Sequence, residues 1–400
     1  MNKIEALIEK FCPDGVEYKE IGEVLDYEQP TKYIVSTAKY HESYRTPVLT
    51  AGQTFILGYT DESTGIYEAT KESPVIIFDD FTTSFHWVDF NFKVKSSAMK
   101  ILSSKKDAGV NFRFVYYSMK CIVYNPQDHA RQWISVYSKF TIPIPPLEVQ
   151  EEIVKTLDLF TTLEAELEAE LEARKVQYAY YRDSLLSPTM VNGKWLMNNE
   201  EVEWKALGEV CEVQSGGTPS KNKSEYWDKG TIKWLGSTVC KNKKTVEEVT
   251  DFITEKGLKN SSTKVFKKEA TLIALVGATI GKVAFLPYEA ATNQNVAGLY
   301  PKNSDELNTS YLYYSCTMLY EVFTNMSQDK LKMANLSFVR GLKIPIPPLL
   351  VQERIVSILD KFDALVNGIS VGLPAEIEGR RKQYEYYRNR LLTFKGVISV

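Results

Sequence analysis

Residues 142–160 read IPIPPLEVQEEIVKTLDLF and residues 344–362 read IPIPPLLVQERIVSILDKF, fourteen identities in nineteen positions. No other feature constrains the fold as much, because two further matches keep the same order. VEYKEIGEV at 16–24 is answered by VEWKALGEV at 202–210, and QYAYYRDSLL at 177–186 by QYEYYRNRLL at 383–392. The chain is therefore a tandem duplication: opening motif, variable insert, IPIPPL, helical segment, YxYYR, and the same again.

The repeated part reads as helix. Pro-Pro fixes an extended approach, and its second proline suits a first helical turn, where no N–H is needed. In the first copy Ile153, Leu157, Phe160, Leu167, Leu171, Tyr178, Tyr181 and Leu185 fall on a 4-3 spacing, interrupted by Glu164 and Arg174. In the second, Ile355, Leu359, Phe362, Val366, Ile369 and Leu373 keep it unbroken. Pairing two helices in a coiled coil buries such stripes. A core helix inside each domain is the alternative, but the glutamate-rich faces of LEAELEAELEARK at 163–175 require water. From Phe160 to Gln177 is seventeen positions, and from Phe362 to Gln383 twenty-one. The surplus includes GLPAEIEG at 372–379, so one continuous helix is expected in the first copy and two shorter ones end to end in the second.

Between these motifs, VIIFDDFTTSFHWVDFNFKVK at 75–95 and TLIALVGATIGKVAFL at 271–286 are rich in β-branched and aromatic residues. Each insert should hold a twisted sheet, although beyond their opening motifs the inserts hardly resemble each other. The expected class is α+β: two globular domains with twisted β-sheets, joined by two long helical regions forming an antiparallel coiled coil, with an internal pseudo-two-fold repeat. The expected boundaries are 1–15 for an N-terminal helix, 16–141 and 192–343 for the sheet domains, and 142–191 and 344–394 for the helical regions.

Charge sorts along the chain more than its net of −3 reveals. Residues 147–187 carry ten acidic and four basic side chains, whereas 202–341 carry eighteen basic and fifteen acidic, a net of +3. A locally basic module can follow phosphates on an acidic chain, because its field decays within about 8–10 Å. No run of eighteen apolar residues marks a membrane span, and MNKIEALIEK lacks the apolar core of a secretory signal. Five scattered cysteines without a CxxC pair point to reduced thiols in a cytoplasmic protein, and three isolated histidines argue against a metal centre.

Three stretches tempt a catalytic reading. GATIGK at 277–282 is one residue short of a phosphate loop and is followed by Val283, so a turn between strands fits it better. PDGVEYK at 13–19 has the letters of a nuclease motif but not the separation its carboxylates need, and its duplicate has no PD. IPPL at 144–147 and 346–349 echoes the Pro-Pro loop of adenine methyltransferases, with Ile in place of the polar residue that would bind the amino group and Leu in place of the stacking aromatic. Nothing offers a nucleophile–base pair.

The doubled IPIPPLxxQ…IV..LD, the YxYYRxxLL endings, SGGTPSKNKSEYW at 215–227 and GATIGKVA at 277–284 together resemble the specificity (S) subunits of type I restriction–modification systems. The resemblance spans nearly the whole chain. It implies two target-recognition domains, each followed by a helical region, with the helices antiparallel. As partners it implies double-stranded DNA, two methyltransferase (M) subunits that bind S-adenosylmethionine, and ATP- and Mg-dependent restriction (R) subunits. For this chain it implies DNA recognition without catalysis, cofactor, metal or membrane. Each domain would read one half of an asymmetric target while the helices fix the gap; residues 147–187 would span about 60 Å.

Base edges are read by donors and acceptors, and phosphates by lysines, hydroxyls and backbone amides. In the second insert the candidates are Ser215, Gly216, Gly217, Thr218, Ser220, Lys221, Lys241 and Lys282, with Asn293 and Gln294 as base readers. The glycines read equally as a plain turn, and the two amides as satisfying buried backbone. The first insert lacks the SGGTPS loop; its candidates are Gln53, Tyr59, Thr82, Thr83, Ser84 and Lys93, while Asp79 and Asp80 fit turn caps. Tyr178, Tyr181, Tyr384 and Tyr387 fall on the seam, where packing and docking of M subunits compete. The rival readings are a non-catalytic coiled-coil scaffold or interaction protein, and a self-sufficient methyltransferase, against which the missing cofactor loop argues.

Overall fold

The repeated IPIPPL phrase is half strand and half helix start. In this computed structural model, which describes residues 2–397 except 53, 245, 247, 248, 250, 327–332 and 369, the chain divides into two compact units. One is Met1–Ala165 with Gly379–Val400, the other Glu166–Glu378.

The first unit runs α1 (Asn2–Phe11), β1 (Glu17–Glu20), α2 (Ile21–Val24), β2 (Leu25–Glu28), β3 (Thr46–Leu49), β4 (Ile56–Thr60), β5 (Val75–Asp79), β6 (Phe85–Val88), β7 (Lys93–Val94), β8 (Met99–Ser104), α3 (Phe112–Met119), β9 (Thr141–Ile144) and the start of α4 (Leu147–Leu186). The opening motif, as β1, pairs antiparallel with β9, from Glu17↔Ile144 to Glu20↔Thr141. The two repeated motifs therefore bond to each other and close the insert between them. Pro146 follows as the residue before the helix, one place earlier than expected. Its carbonyl accepts from Val149 (3.0 Å) and Gln150 (3.1 Å), so a residue with no N–H costs nothing here. The insert folds as two sheets, β2-β8-β5-β6 and β4-β3-β7.

Ile153 and Leu157 are wholly buried with Ile4, Leu391 and Leu392, each contributing about 2 kcal/mol by area. The end of α11 (Leu373–Leu391) forms the other side of this core. Phe160 stacks on Tyr387 (5.5 Å between centroids) and Glu164 meets Arg381 (2.5 Å). Numbers rise on one helix as they fall on the other, so the pairing is antiparallel. Glu164, which interrupts the apolar stripe, does so to meet a partner. Glu166, Glu170 and Glu172 face solvent, as the polar faces require.

The second unit repeats this plan after a three-stranded meander, β10 (Thr189–Val191), β11 (Lys194–Met197) and β12 (Glu200–Glu201). It continues with β13 (Glu203–Ala206), α5 (Leu207–Val210), β14 (Cys211–Ser215), β15 (Ile232–Leu235), β16 (Asp251–Ile253), α6 (Glu255–Lys259), β17 (Val265–Phe266), β18 (Thr271–Ala274), β19 (Val283–Phe285), β20 (Ala290–Thr292), β21 (Val296–Pro301), α7 (Thr309–Thr317), α8 (Tyr320–Met326), α9 (Leu336–Gly341), β22 (Lys343–Ile346) and α10 (Leu349–Asn367). β13 pairs with β22, from Glu203↔Ile346 to Ala206↔Lys343. The insert sheets are β14-β21-β18-β19 and β16-β15-β20-β17. In each insert the second sheet contains one parallel pair, β3 with β7 and β15 with β20. Apart from β17, an extra strand in the second insert, the inserts share a topology that their sequences hide. GATIGK is the turn between β18 and β19, as expected.

The helical expectation holds in detail. The first copy gives one 40-residue helix and the second gives α10 and α11. A Cβ on Gly368 would lie 2.0 Å from the Val371 carbonyl oxygen, and Gly372 has φ +108°, so both positions of the break require glycine. Ile355, Leu359, Val366 and Leu373 are buried as their spacing predicts; Ile369 lies outside the described residues. In this unit Phe362 meets Tyr178 (6.3 Å) and Tyr181 (5.3 Å) near the end of α4.

Each phrase also carries a buried amide. The Gln150 side chain accepts from the Asn111 amide (2.8 Å) and donates to the Pro145 carbonyl (2.6 Å). Gln352 accepts from Asn308 (2.9 Å) and donates to Pro347 and Glu306 (both 2.8 Å). Asn111 and Asn308 in turn cap α3 and α7. The phrase's aspartates are matched too: Asp158 accepts from Tyr117 and Arg113, Asp360 from Tyr314 and Lys244. The repeat is thus a set of joints between helix and insert.

Candidate nucleic-acid interface

In the second insert the chain leaves β14 through Ser215 and passes under β20. The Gly217 amide donates to the Thr292 carbonyl (2.8 Å), and the Gly217 carbonyl accepts from the Trp234 indole (3.0 Å). A Cβ on Gly216 would sit 2.1 Å from the Thr292 carbonyl oxygen, and one on Gly217 2.5 Å from Ser262 Oγ. Both glycines are buried, and close approach of the backbone accounts for them; Ser215 is half-buried beside them. The loop then rises to solvent. Thr218 Oγ1 donates to Gln294 Oε1 (2.6 Å), while Ser220, Lys221 and Gln294 are exposed. Half-buried Asn293 accepts from the Asn295 amide (3.0 Å), so its carbonyl end is used in holding the turn.

Lys241 and Lys282 lie on neighbouring segments. The Asn242 amide donates to the Val283 carbonyl (2.9 Å), and the Val283 amide donates to Asn242 Oδ1 (2.9 Å). Lys241 is exposed and Lys282 half-buried. The second insert therefore gathers Thr218, Gln294 and Asn293 on adjoining loops, with Ser220 and Lys221 just beyond, and brings Lys241 to Lys282.

The first insert places its candidates less uniformly. Thr82, Thr83 and Ser84 form the turn between β5 and β6; Thr82 and Ser84 are exposed and Thr83 is buried. Asp79 accepts from Phe81 (2.8 Å) and Thr82 (2.9 Å), the turn cap expected of it. Asp80 caps nothing. It is buried, accepts from the Trp133 amide (2.8 Å), and pairs with buried Lys100 at 3.3 Å. Tyr59 is half-buried on β4, and Gln53 lies outside the described residues. Lys93 is 3% exposed, paired with Glu62 (3.0 Å) and donating to the Thr64 carbonyl (2.7 Å). Burial would raise the Glu62 carboxyl, yet Lys93 and the amides of Ser36 and Thr37 hold it below its usual range. Lys93 thus fastens the 62–64 segment from inside.

Of the seam tyrosines, Tyr178, Tyr384 and Tyr387 are half-buried, while Tyr181 stacks on Phe362 yet stays 40% exposed; their neighbours are more open still. Tyr180 and Tyr386, the equivalent third positions after Gln177 and Gln383, are 69% and 59% exposed. Sequence reasoning also missed the helix that receives each buried glutamine. NFRFVYYSM at 111–119 and NTSYLYYSC at 308–316 share Asn, Tyr-Tyr and Ser at fixed offsets, a fourth ordered repeat. Burial pushes the Cys211 and Cys240 thiols up to about 12, so neither is a nucleophile at neutral pH. Among the described residues no cluster of His, Cys, Asp and Glu could hold a metal. What the exposed loops offer is hydroxyls, amides and ammonium groups.

A sequence model described as the type I restriction modification DNA specificity domain matches residues 13–173 and again 199–379. The type I restriction enzyme EcoR124I/EcoR124II specificity subunit of Escherichia coli is 45% identical over 398 residues, 95% of either chain. A putative type I restriction enzyme specificity subunit of Haemophilus influenzae is 29% identical over 95% of this chain and 96% of its own. Among solved structures, the type I restriction–modification S subunit from M. genitalium has a similar fold, with TM-score 0.59 at 15% identity, over 94% of this chain and 96% of that one. A chain solved in work on assembly and conformational transition of the type I R-M system gives TM-score 0.57 at 18% identity, over 96% and 99%.

Proposed function

Because the chain belongs to the type I restriction–modification DNA specificity subunits, we propose that it recognises a split, asymmetric DNA target for such a complex. The recognition domains, 16–141 and 192–343, each read one half-site; the helical regions, 142–191 and 344–394, set the gap. One observation carries this reading: a single sheet framework occurs twice, closed by the same joints, with unlike loops on its surface. A duplicated scaffold suits a duplex whose backbones are two-fold related, and unlike loops suit unlike half-sites. The 40 residues of α4 correspond to about 60 Å, ample for half-sites about 34–36 Å apart.

The chain itself carries no catalysis in this proposal. Two M subunits bind S-adenosylmethionine and extrude the target adenine from the stack, and R subunits supply ATP- and Mg-dependent cleavage. Exposed Tyr180 and Tyr386 are candidate docking points for M subunits because they recur at equivalent positions. The complex works in the cytoplasm; no helix among the described residues is long and apolar enough to cross a membrane.

Methylome sequencing of a host carrying the chain with its M subunit tests the reading. A two-part motif with a fixed gap is expected, together with a salt-dependent gel shift that requires the M subunit. Methylation without a split motif would overturn it. A coiled-coil scaffold would give no shift at all.

A further inference from the structure

The two inserts can be matched position by position through backbone hydrogen bonds alone. Val35 donates to Val94 (2.9 Å) and Lys95 to Leu49 (3.0 Å), as Gly217 does to Thr292 (2.8 Å) and Asn293 to Leu235 (3.0 Å). Asp79 donates to Ser84 (2.8 Å) and Thr83 to Asp79 (3.0 Å), as Ala274 does to Lys282 and Gly281 to Ala274 (both 2.9 Å). Thr83 and Gly281 share a positive φ, +59° and +76°. Asp80 donates to Ala98 (2.9 Å) as Leu275 does to Asn295 (2.8 Å).

Counting from these anchors, Ser36 stands where Thr218 does and Lys39 where Lys221 does. Lys95 stands at Asn293, and Ser96–Ser97 occupy the place of Gln294. Ser84 and Lys282 share one turn position.

We propose that the Ser36–Lys39 segment and the Lys95–Ser97 turn are the DNA-reading surface of the first recognition domain. This rests on the specificity-subunit reading above. Glu62 accepts from the amides of Ser36 (2.8 Å) and Thr37 (3.2 Å) and is itself held by Lys93, so the segment's path is fixed from beneath. Lys39 and Lys95 are exposed, and neither has a carboxylate partner among the described residues. Lys95 Nζ lies 3.5 Å from the Tyr40 hydroxyl. At one backbone position the two domains thus present different chemistry. Lys95 offers a charged ammonium, which suits the N7 and O6 acceptors of guanine; Asn293, whose Oδ1 already accepts from the Asn295 amide, offers a neutral amide N–H donor. Lys39, on the outer part of the segment, meets phosphate.

The test uses the full chain assembled with its M subunits and a randomised double-stranded DNA library, with bound sequences read out across a salt series. Lys95→Ala should relax one base position in one half-site, by about 5- to 150-fold in discrimination. Lys39→Gln should lower the slope of log affinity against log salt by about 0.9 without changing sequence preference. Gln294→Ala should change the other half-site only. If wild type selects a split motif and Lys95→Ala and Lys39→Gln leave both halves, affinity and salt slope unchanged, the surface is misassigned while the DNA reading stands. If wild type selects no split motif, both fall.

Discussion

Replacing Gln352 by leucine should loosen the second recognition domain where it meets its helix. The side chain is wholly buried and makes three bonds, to the Asn308 amide and to the Pro347 and Glu306 carbonyls. Leucine has similar size and bonds to none of them. Each orphaned buried group costs about 1–3 kcal/mol, and because the three are neighbours that share relaxation, a total of about 3–5 kcal/mol is expected. Gln150→Leu severs two such bonds and should cost about 2–4 kcal/mol. A 400-residue chain with two units need not unfold in one step, so the readout should be local. Amide exchange followed by mass spectrometry should show lost protection across 305–317 for Gln352→Leu and across 108–119 for Gln150→Leu, each leaving the other segment unchanged. A loss under about 1 kcal/mol in 305–317, or equal loosening of both segments by either substitution, would refute the idea that each glutamine pins its own insert.

Three further outcomes are expected. Lys100→Met leaves Asp80 buried beside only the more distant Arg131 (3.7 Å), and should destabilise the first unit by about 3–5 kcal/mol in denaturant titrations. Asp363 is 7% exposed and burial raises its carboxyl above the ordinary range. The folded state thus favours its proton, stability falls as pH rises from the unfolded value near about 4 through the folded one, and Asp363→Asn should flatten that decline in melting temperature against pH. Inserting one LEAE unit after Glu166 should lengthen α4 by about 6 Å and widen the gap between half-sites, read by methylome sequencing, with both half-site sequences kept. Altered half-sites at an unchanged gap would refute the spacer role.

The helices were legible because their signals are local. A 4-3 stripe, a Pro-Pro start and a Gly-rich break each act within a few residues; the break appears where expected, and the Pro-Pro start lies one residue ahead of its helix. The shared topology of the inserts was not legible, because strand order depends on partners far apart in sequence. β2 pairs with β8 across more than seventy residues, and short strands carry little periodicity of their own. Among the site residues, the SGGTPS loop was found but its glycines serve packing under Thr292. Lys93 is a candidate by composition although it is buried, because composition cannot tell a lysine that meets a half-buried glutamate thirty-one positions away from one, such as Lys95, that reaches solvent. Asp80 was misread for the same reason, its partner being Lys100.

The antiparallel closure of β1 on β9, and of β13 on β22, has an evolutionary consequence. The two ends of each recognition module emerge side by side at a seam whose hydrogen bonds are supplied by main chain. Crossovers within the duplicated flanks can therefore exchange a whole module and still regenerate the same seam. New binding preferences can be acquired wholesale, without retuning the machinery that acts on them.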